Sequence, residues 1–348
     1  VDFYVIETTV LPRAARASRM VLPTTLRFGP VVTQIRDQPG PFEDTADALR
    51  WLRTEYDTLR EALVAATRNH RDDLAWQLSE TLWPLFLHHR HLVTPTVFTD
   101  GAAAAHRAAQ TAQDPDHTRR HRLGQASLLL KAVAARLKLG DIDTAETLLP
   151  EATALTRHLD SPALQATARA QHGQLARARG SLTDAVDSFR DALRLEEQGG
   201  TPRGTSLRHR ALASVLCDLG LHDQAETHLH HACELLTDSR DARDRAQIGE
   251  QLGTLRSLTG RHDDAVTELT RALTVLGDLP SHYQATCHRR LALALERRAA
   301  AALNTNPTPD HGDPLHTKAT QDRRRAVIHR TRARELAPDH YTATTLTT

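Results

Sequence analysis

Four stretches of this chain share one layout at a fixed step. They are LKLGDIDTAETLLPEA (137–152), RARGSLTDAVDSFRDAL (177–193), CDLGLHDQAETHLHHAC (217–233) and SLTGRHDDAVTELTRAL (257–273). Each carries a glycine, an alanine five residues on, an apolar residue four beyond that and a second alanine three further. The glycines Gly140, Gly180, Gly220 and Gly260 are 40 residues apart, and the alanine pairs Ala145/Ala152, Ala185/Ala192, Ala225/Ala232 and Ala265/Ala272 keep the step. A repeat of this length denotes a supersecondary unit that cannot bury its apolar face alone and must stack on neighbours.

The residue types point to helical hairpins. Glycine is the residue that most cheaply ends a first arm and reverses the chain. Asp143, Thr183 and Asp223 follow at positions from which they would cap the second arm. The alanines allow close helix approach, and Leu149, Phe189, Leu229 and Leu269 supply the larger knob. Apolar spacing is helical on both arms, as in Leu207, Leu212, Val215, Leu216 and Leu219, then Ala225, Leu229, Ala232 and Leu236. Aromatic residues make up only 4% of the chain, and alanine and leucine carry most of its apolar content, which suits close-packed helices. The expected fold is all-α, a right-handed superhelical solenoid of hairpins.

The array changes toward both ends. A helix from about His282 to Leu303 takes the next first-arm position, and a second arm returns as Ala326…Ala333…Pro338. The polar, proline-broken stretch NTNPTPDHGDPLH between them predicts an inserted loop over 304–318. Upstream, 42–69 and 72–90 predict a Trp/Leu-rich pair with Trp51, Trp76, Trp83 and Phe86, its turn glycine replaced around His91. Residues 2–20 predict one helix, and the Pro/Gly-containing stretch to 41 a linker. The resulting organisation is an N-terminal helix and linker (1–41), divergent capping repeats (42–118), regular repeats (119–280), a split last repeat (281–338) and a tail (339–348).

Forty-four basic against 43 acidic residues leave a formal charge of +1, so no global attraction to nucleic acid or an anionic membrane is expected. The only lysines are Lys131, Lys138 and Lys318, an arginine bias that a high-GC genome such as an actinobacterial one explains. Cys217, Cys233 and Cys287 are too few for a disulfide framework and read as small buried hydrophobes in a reducing compartment. No signal-peptide pattern or membrane-length apolar run is present, and a cytoplasmic location is expected. His88, His89 and His91, and His228, His230 and His231, cluster in sequence, but adjacent residues diverge by about 100° on a helix. Solvated or capping histidines are therefore expected rather than a metal site. No catalytic motif occurs, and neither an enzyme nor a resident cofactor is expected.

The repeat pattern resembles the second half of the tetratricopeptide (TPR) consensus, and Pro338, five residues after Ala333, resembles its proline. The longer period resembles TPR-like repeats in the sensor domains of bacterial STAND regulators. ALRWLRTEYDTLREAL (48–63) and LAWQLSETLWPLF (74–86) look like the start of the C-terminal repeat domain of SARP/AfsR-type (NB-ARC-TPR) transcriptional regulators, with Trp51, Leu52 and Glu55 matching its Ala-x-x-Trp-Leu-x-x-Glu pattern. Residues 2–23 resemble the helical segment preceding it. The resemblance implies a sensor that transmits partner or ligand binding to a nucleotide switch elsewhere. None of the lysines follows a glycine, so there is no phosphate loop here. An ATP or ADP site is expected only in an upstream domain, and direct nucleic-acid binding is not.

The resemblance also implies that the first arms line a concave groove. Counting back from each turn glycine places Ser127 and Lys131 there, followed by Gln171, Gln174 and Arg177. Arg210 and Ser214 come next, then Gln247, Glu250, Gln251 and Thr254, with Arg290 and Arg297 on the last first arm. A merely solvated face accounts for the same residues. The functional alternative is a mildly basic, amide-rich groove for a peptide, a partner helix or a small anionic ligand. A free-standing TPR adaptor or peptide receptor is the other function compatible with this sequence, and its oligomeric state is open.

Overall fold

The computed structural model of the chain describes residues 2–21, 41–236, 242–277, 282–305 and 314–336. Among the described residues there is helix and connecting turn but no strand. The chain divides into two compact units, Val1–Arg208 and His209–Thr348.

The first unit opens with α1 (Phe3–Val5), which passes through a π-helical stretch (Ile6–Val10) into α2 (Leu11–Val21). The segments expected as one Trp-rich pair form four helices: α3 (Thr45–Thr54), α4 (Tyr56–Arg68), α5 (Asp72–Thr81) and α6 (Trp83–His88). Pro84, in the first turn of α6, lacks an N–H and would clash with the carbonyl one turn back, so the helix restarts there. The left-handed turn residue of this region is not near His91 as the sequence suggests, but His70, with φ 55°. Trp76, Phe86 and Phe98 are fully buried, and Trp83 stacks on Phe86 with centroids 5.4 Å apart. Half-buried Trp51 receives the Arg13 guanidinium, 5.2 Å from its ring centroid. The unit continues through α7 (Thr96–Thr111), α8 (Pro115–Lys138), α9 (Ile142–Arg157), α10 (Pro162–Ala178) and α11 (Leu182–Gly199).

Helix α12 (Pro202–Asp218) carries the chain into the second unit. There follow α13 (His222–Glu234), α14 (Ala242–Leu258), α15 (His262–Leu276), α16 (His282–Thr305) and α17 (Pro314–Leu336). Hairpins α8/α9, α10/α11, α12/α13 and α14/α15 turn at Gly140, Gly180, Gly220 and Gly260, with φ of 79°, 82°, 75° and 80°. No atom lies within 4 Å of where a Cβ would stand at any of them, so glycine is required by backbone conformation and not by space. At Gly220 the next amide, Leu221 N–H, donates to Leu216 C=O at 2.9 Å, the six-to-one closure that satisfies a helix's last carbonyls. The paired alanines and the knobs Leu149, Phe189, Leu229 and Leu269 are all buried.

Some expectations are corrected. Asp143, Thr183 and Asp223 are not caps: the N-cap residues are Asp141, Ser181 and Leu221, and only Asp141 accepts a capping bond, from Thr144 N–H. The second arms begin two residues after glycine, so Asp143 and Asp223 lie inside the first turn, where they act on the helix dipole. Cys233 is exposed and Cys217 intermediate; only Cys287 is buried, its thiol pushed well above the usual range by burial. Leu219 is 40% exposed, because the turn lifts it off the hairpin core. Of the inserted loop, 314–318 is the first turn of α17, while 306–313 lies outside the described residues. The linker over 22–40, Pro338 and the tail 339–348 also lie outside them.

Candidate functional site

The first arms of the second unit are in register with the repeat, so residues 40 apart become neighbours on successive helices. Arg210 (α12), Glu250 (α14) and Arg290 (α16) therefore form a charge ladder across three first arms. Arg290 Nε donates to Glu250 Oε1 at 3.3 Å, and Thr254, one turn along α14, donates its hydroxyl to the Glu250 carbonyl at 2.8 Å. Arg210 is half-buried, and desolvation lowers its pKa, opposed chiefly by the Asp244 carboxylate and more weakly by Glu250. Asp244 is also held by Arg243 at 2.8 Å, whose guanidinium lies 5.9 Å from the Tyr283 ring centroid. The same period recurs where Arg297 Nη1 donates to Ser257 Oγ at 3.3 Å.

These bonds qualify the expected basic groove. Of the charges proposed for it in this unit, Glu250 and Arg290 are paired with each other, and Arg210 faces carboxylates. Ser214, Gln247, Gln251, Thr254 and Arg297 are half-buried along the same arms. Gln251 Oε1 is buried and accepts no hydrogen bond among the described residues.

In the first unit, Lys131 is committed inside the fold. Its ammonium pairs with Glu80 of α5 and bonds Ser127 Oγ at 2.9 Å; burial lowers its pKa, and the Glu80 carboxylate opposes that. Ser127 itself is buried and donates to Glu80 Oε1 at 3.4 Å. Gln171, Gln174 and Arg177 are half-buried on α10. A cleft lined in part by Thr153, Gln165, Arg169, Asp191 and Arg194 contains none of the three.

Sequence reasoning missed a set of histidine contacts between hairpin arms. His209 (α12) and His228 (α13) approach at 2.9 Å between Nδ1 atoms, with the His231 ring centroid 5.4 Å from that of His209. His288 (α16) and His329 (α17) repeat the arrangement at 2.8 Å. Burial, then the neighbouring imidazole, depresses His209 and His288 to about 4. His89, at the end of α6, is lowered to about 4 by burial and Arg53. The clue in the sequence is that His209 and His228 stand 19 residues apart across a turn glycine, a facing separation in these hairpins. Among the described residues no group of three or more His, Cys, Asp or Glu could hold a metal ion. No described helix is long and apolar enough to cross a membrane.

The tetratricopeptide repeat family model matches residues 205–278. No curated protein matches the sequence. Among solved structures, the chain is similar to human IFIT1 in a dimer with m7Gppp-AAAA, at 14% identity and TM-score 0.53, over 94% of this chain and 66% of that one. It is also similar to aspartyl phosphate phosphatase F from Bacillus subtilis, at 11% identity and TM-score 0.50, over 94% of each chain. BtubC from P. vanneervenii is similar at 18% identity and TM-score 0.48, over 70% of this chain and 92% of that one. At these identities the likeness to the first two shows fold alone: an all-helical TPR-like repeat protein. Such repeats generally serve as protein–protein interaction scaffolds.

Proposed function

We propose that this chain is a binding module whose first-arm face receives a peptide or helix of a partner protein. The observation that carries this reading is the 40-residue register of polar side chains: Arg210, Glu250 and Arg290, with Arg297 over Ser257. Polar groups recurring at one position on otherwise apolar arms give an extended partner repeated donors and acceptors. Gln247, Gln251 and Thr254 add amide and hydroxyl groups; in the first unit, Gln171, Gln174 and Arg177 give α10 a polar set of its own. Lys131 belongs to the Glu80 pair and is left out of the contact set.

The finer reading is the sensor domain of a SARP/AfsR-type regulator, supported by Trp51, Leu52 and Glu55 in their motif spacing. On that reading the protein is cytoplasmic, this chain holds no cofactor, and ATP or ADP belongs to an upstream domain. The divergent front (42–118), the regular repeats (119–280) and the split last repeat (281–338) are then parts of one sensing array. The complete open reading frame decides between this and a free-standing adaptor. An upstream phosphate loop supports the regulator, whereas a start codon near Val1 removes it.

The binding face is tested by affinity capture and mass spectrometry, comparing the unaltered chain with an Arg290→Glu/Arg297→Glu variant. Loss of the same captured proteins, with the helical CD spectrum retained, is expected. Capture of an unchanged set by the variant overturns the first-arm reading.

A further inference from the structure

Interior repeats of this chain share a charge polarity that the last helix inverts. At interior junctions the second arm supplies carboxylates and the following repeat supplies arginine. Asp143 and Glu146 of α9 accept from Arg179 at 2.7 and 2.5 Å. Glu226 of α13 accepts from Arg261 at 2.5 Å and pairs with Arg256 at 3.5 Å. Asp263 of α15 accepts from Arg298 of α16 at 2.8 Å.

The apolar part of the junction lies beside those acids. Val186 and Val266, each directly after the first alanine of its second arm, are 6% and 7% exposed. Val266 lies in one buried cluster with Leu291, Ala292, Ala294 and Leu295 of the following first arm, α16.

Helix α17 presents the same flank with nothing described against it. Val327, directly after Ala326 and in the place of Val186 and Val266, is 60% exposed; Ile328, about 100° further round the helix, stands where interior second arms carry the exposed Thr147, Asp187, Thr227 and Thr267. Where α15 has His262, Asp263 and Asp264 before its alanine, α17 has Arg323, Arg324 and Arg325 before Ala326. All three are exposed, and none forms an ion pair or hydrogen bond among the described residues. The helix carries seven Lys or Arg against two Asp or Glu, in a chain whose formal charge is only +1. Both acids are already engaged, Asp322 by Arg298 and Glu335 by Arg332.

We propose that this flank of α17 is a docking surface for an acidic amphipathic helix of a partner protein, seated as a following first arm would be. Its apolar residues would cover Val327, and its carboxylates would meet Arg323 and Arg324, which lie on either side of Val327 around the helix; Arg325, about 160° from Val327, belongs to another face. The polarity follows from inversion of the interior junctions: an arm offering arginine instead of aspartate complements carboxylates. A nucleic-acid backbone matches the charge but leaves the aliphatic Val327 bare, and the flank offers no aromatic ring on which bases could stack. This surface is separate from the first-arm face, so either can fail without the other.

The test uses the full chain and a fluorescein-labelled helical peptide with a leucine/alanine face flanked by glutamates, read by fluorescence anisotropy. A peptide with lysine in place of each glutamate is the control. The glutamate peptide is expected to bind and the lysine peptide not. Binding should weaken about tenfold or more in Arg323→Glu/Arg324→Glu, and separately in Val327→Asp. Arg190→Glu, at an exposed arginine of α11, should leave it unchanged. CD spectra should match throughout, since the altered side chains are exposed.

Three outcomes overturn the proposal. The first is absence of glutamate-peptide binding, or equal binding of both peptides. The second is displacement of the peptide by a single-stranded oligonucleotide of equal charge together with indifference to Val327→Asp, which makes the surface a phosphate site. The third is sedimentation of the unaltered chain as a dimer that Val327→Asp dissociates, which assigns the face to a second copy.

Discussion

Glycine occupies two physically different kinds of site in these hairpins, and only one of them is visible as a period. Gly140, Gly180, Gly220 and Gly260 stand in open space with positive φ, and their fixed spacing follows from the recurring turn. Gly173 and Gly253 lie inside first arms, where a Cβ would stand 3.0 Å from the Phe189 ring and 2.6 Å from Leu269 Cγ. The equivalent positions are Val133, Ala213 and Leu293, so no periodic glycine marks this socket, and the knob opposite does not reveal it either, since leucine faces Val133 in one hairpin and Gly253 in another. The two sites predict different costs. Gly220→Ala strains the backbone and should lower unfolding free energy by about 1 kcal/mol. Gly173→Val drives two methyl groups into the Phe189 ring and should cost about 2 kcal/mol. Denaturant midpoints at constant m-value check both, and a larger loss in the turn variant would refute the distinction.

At the scale of helix pairs, charges that look available in sequence turn out to join one element to another. Lys131 belongs to the α5–α8 contact through Glu80, 51 residues away, a separation that the repeat period does not predict. Glu80→Ala leaves a buried ammonium unpaired and should destabilise the first unit by about 3 kcal/mol, whereas Glu80→Leu with Lys131→Met should recover most of that loss. Urea titrations of the single and double variants would show it; equal destabilisation in both would mean that packing, not charge, is at stake. The ladder Arg210, Glu250 and Arg290, by contrast, was legible, because its residues occupy one periodic position. Which of its groups face one another required the structure. The histidine pairs give the hairpins a pH dependence. An imidazole in an unfolded chain takes its proton near pH 6.5, but His209 and His288 do so at about 4. Their stabilising contribution is therefore complete above about pH 6.5 and is lost as pH falls toward about 4, because the unfolded chain binds protons that the hairpins refuse. His209 faces His228 and His231, and His288 faces His329 and Arg332, so each proton would enter beside basic groups. Denaturation midpoints should fall between about pH 7 and about pH 5, and less steeply in His209→Gln/His288→Gln; parallel slopes would remove these rings as the cause.

For the molecule as a whole, a stack of repeats makes stability a sum of local hairpin terms and nearest-neighbour contacts, so damage need not spread along the array. The division into Val1–Arg208 and His209–Thr348 makes that measurable, because Trp51, Trp76 and Trp83 all fall in the first unit. Tryptophan fluorescence therefore reports the first unit, while the far-ultraviolet CD signal of an all-helical chain reports both. Gly253→Val overfills the Leu269 socket of the α14/α15 hairpin in the second unit. It should shift part of the CD transition to lower denaturant while leaving the fluorescence midpoint in place. Gly173→Val, in the first unit, should move the fluorescence midpoint. The mismatch between probes is then the expected signature of a chain that does not unfold in one step. If both probes shift together in Gly253→Val, the array unfolds as one cooperative body, and coupling between neighbouring repeats outweighs the local terms.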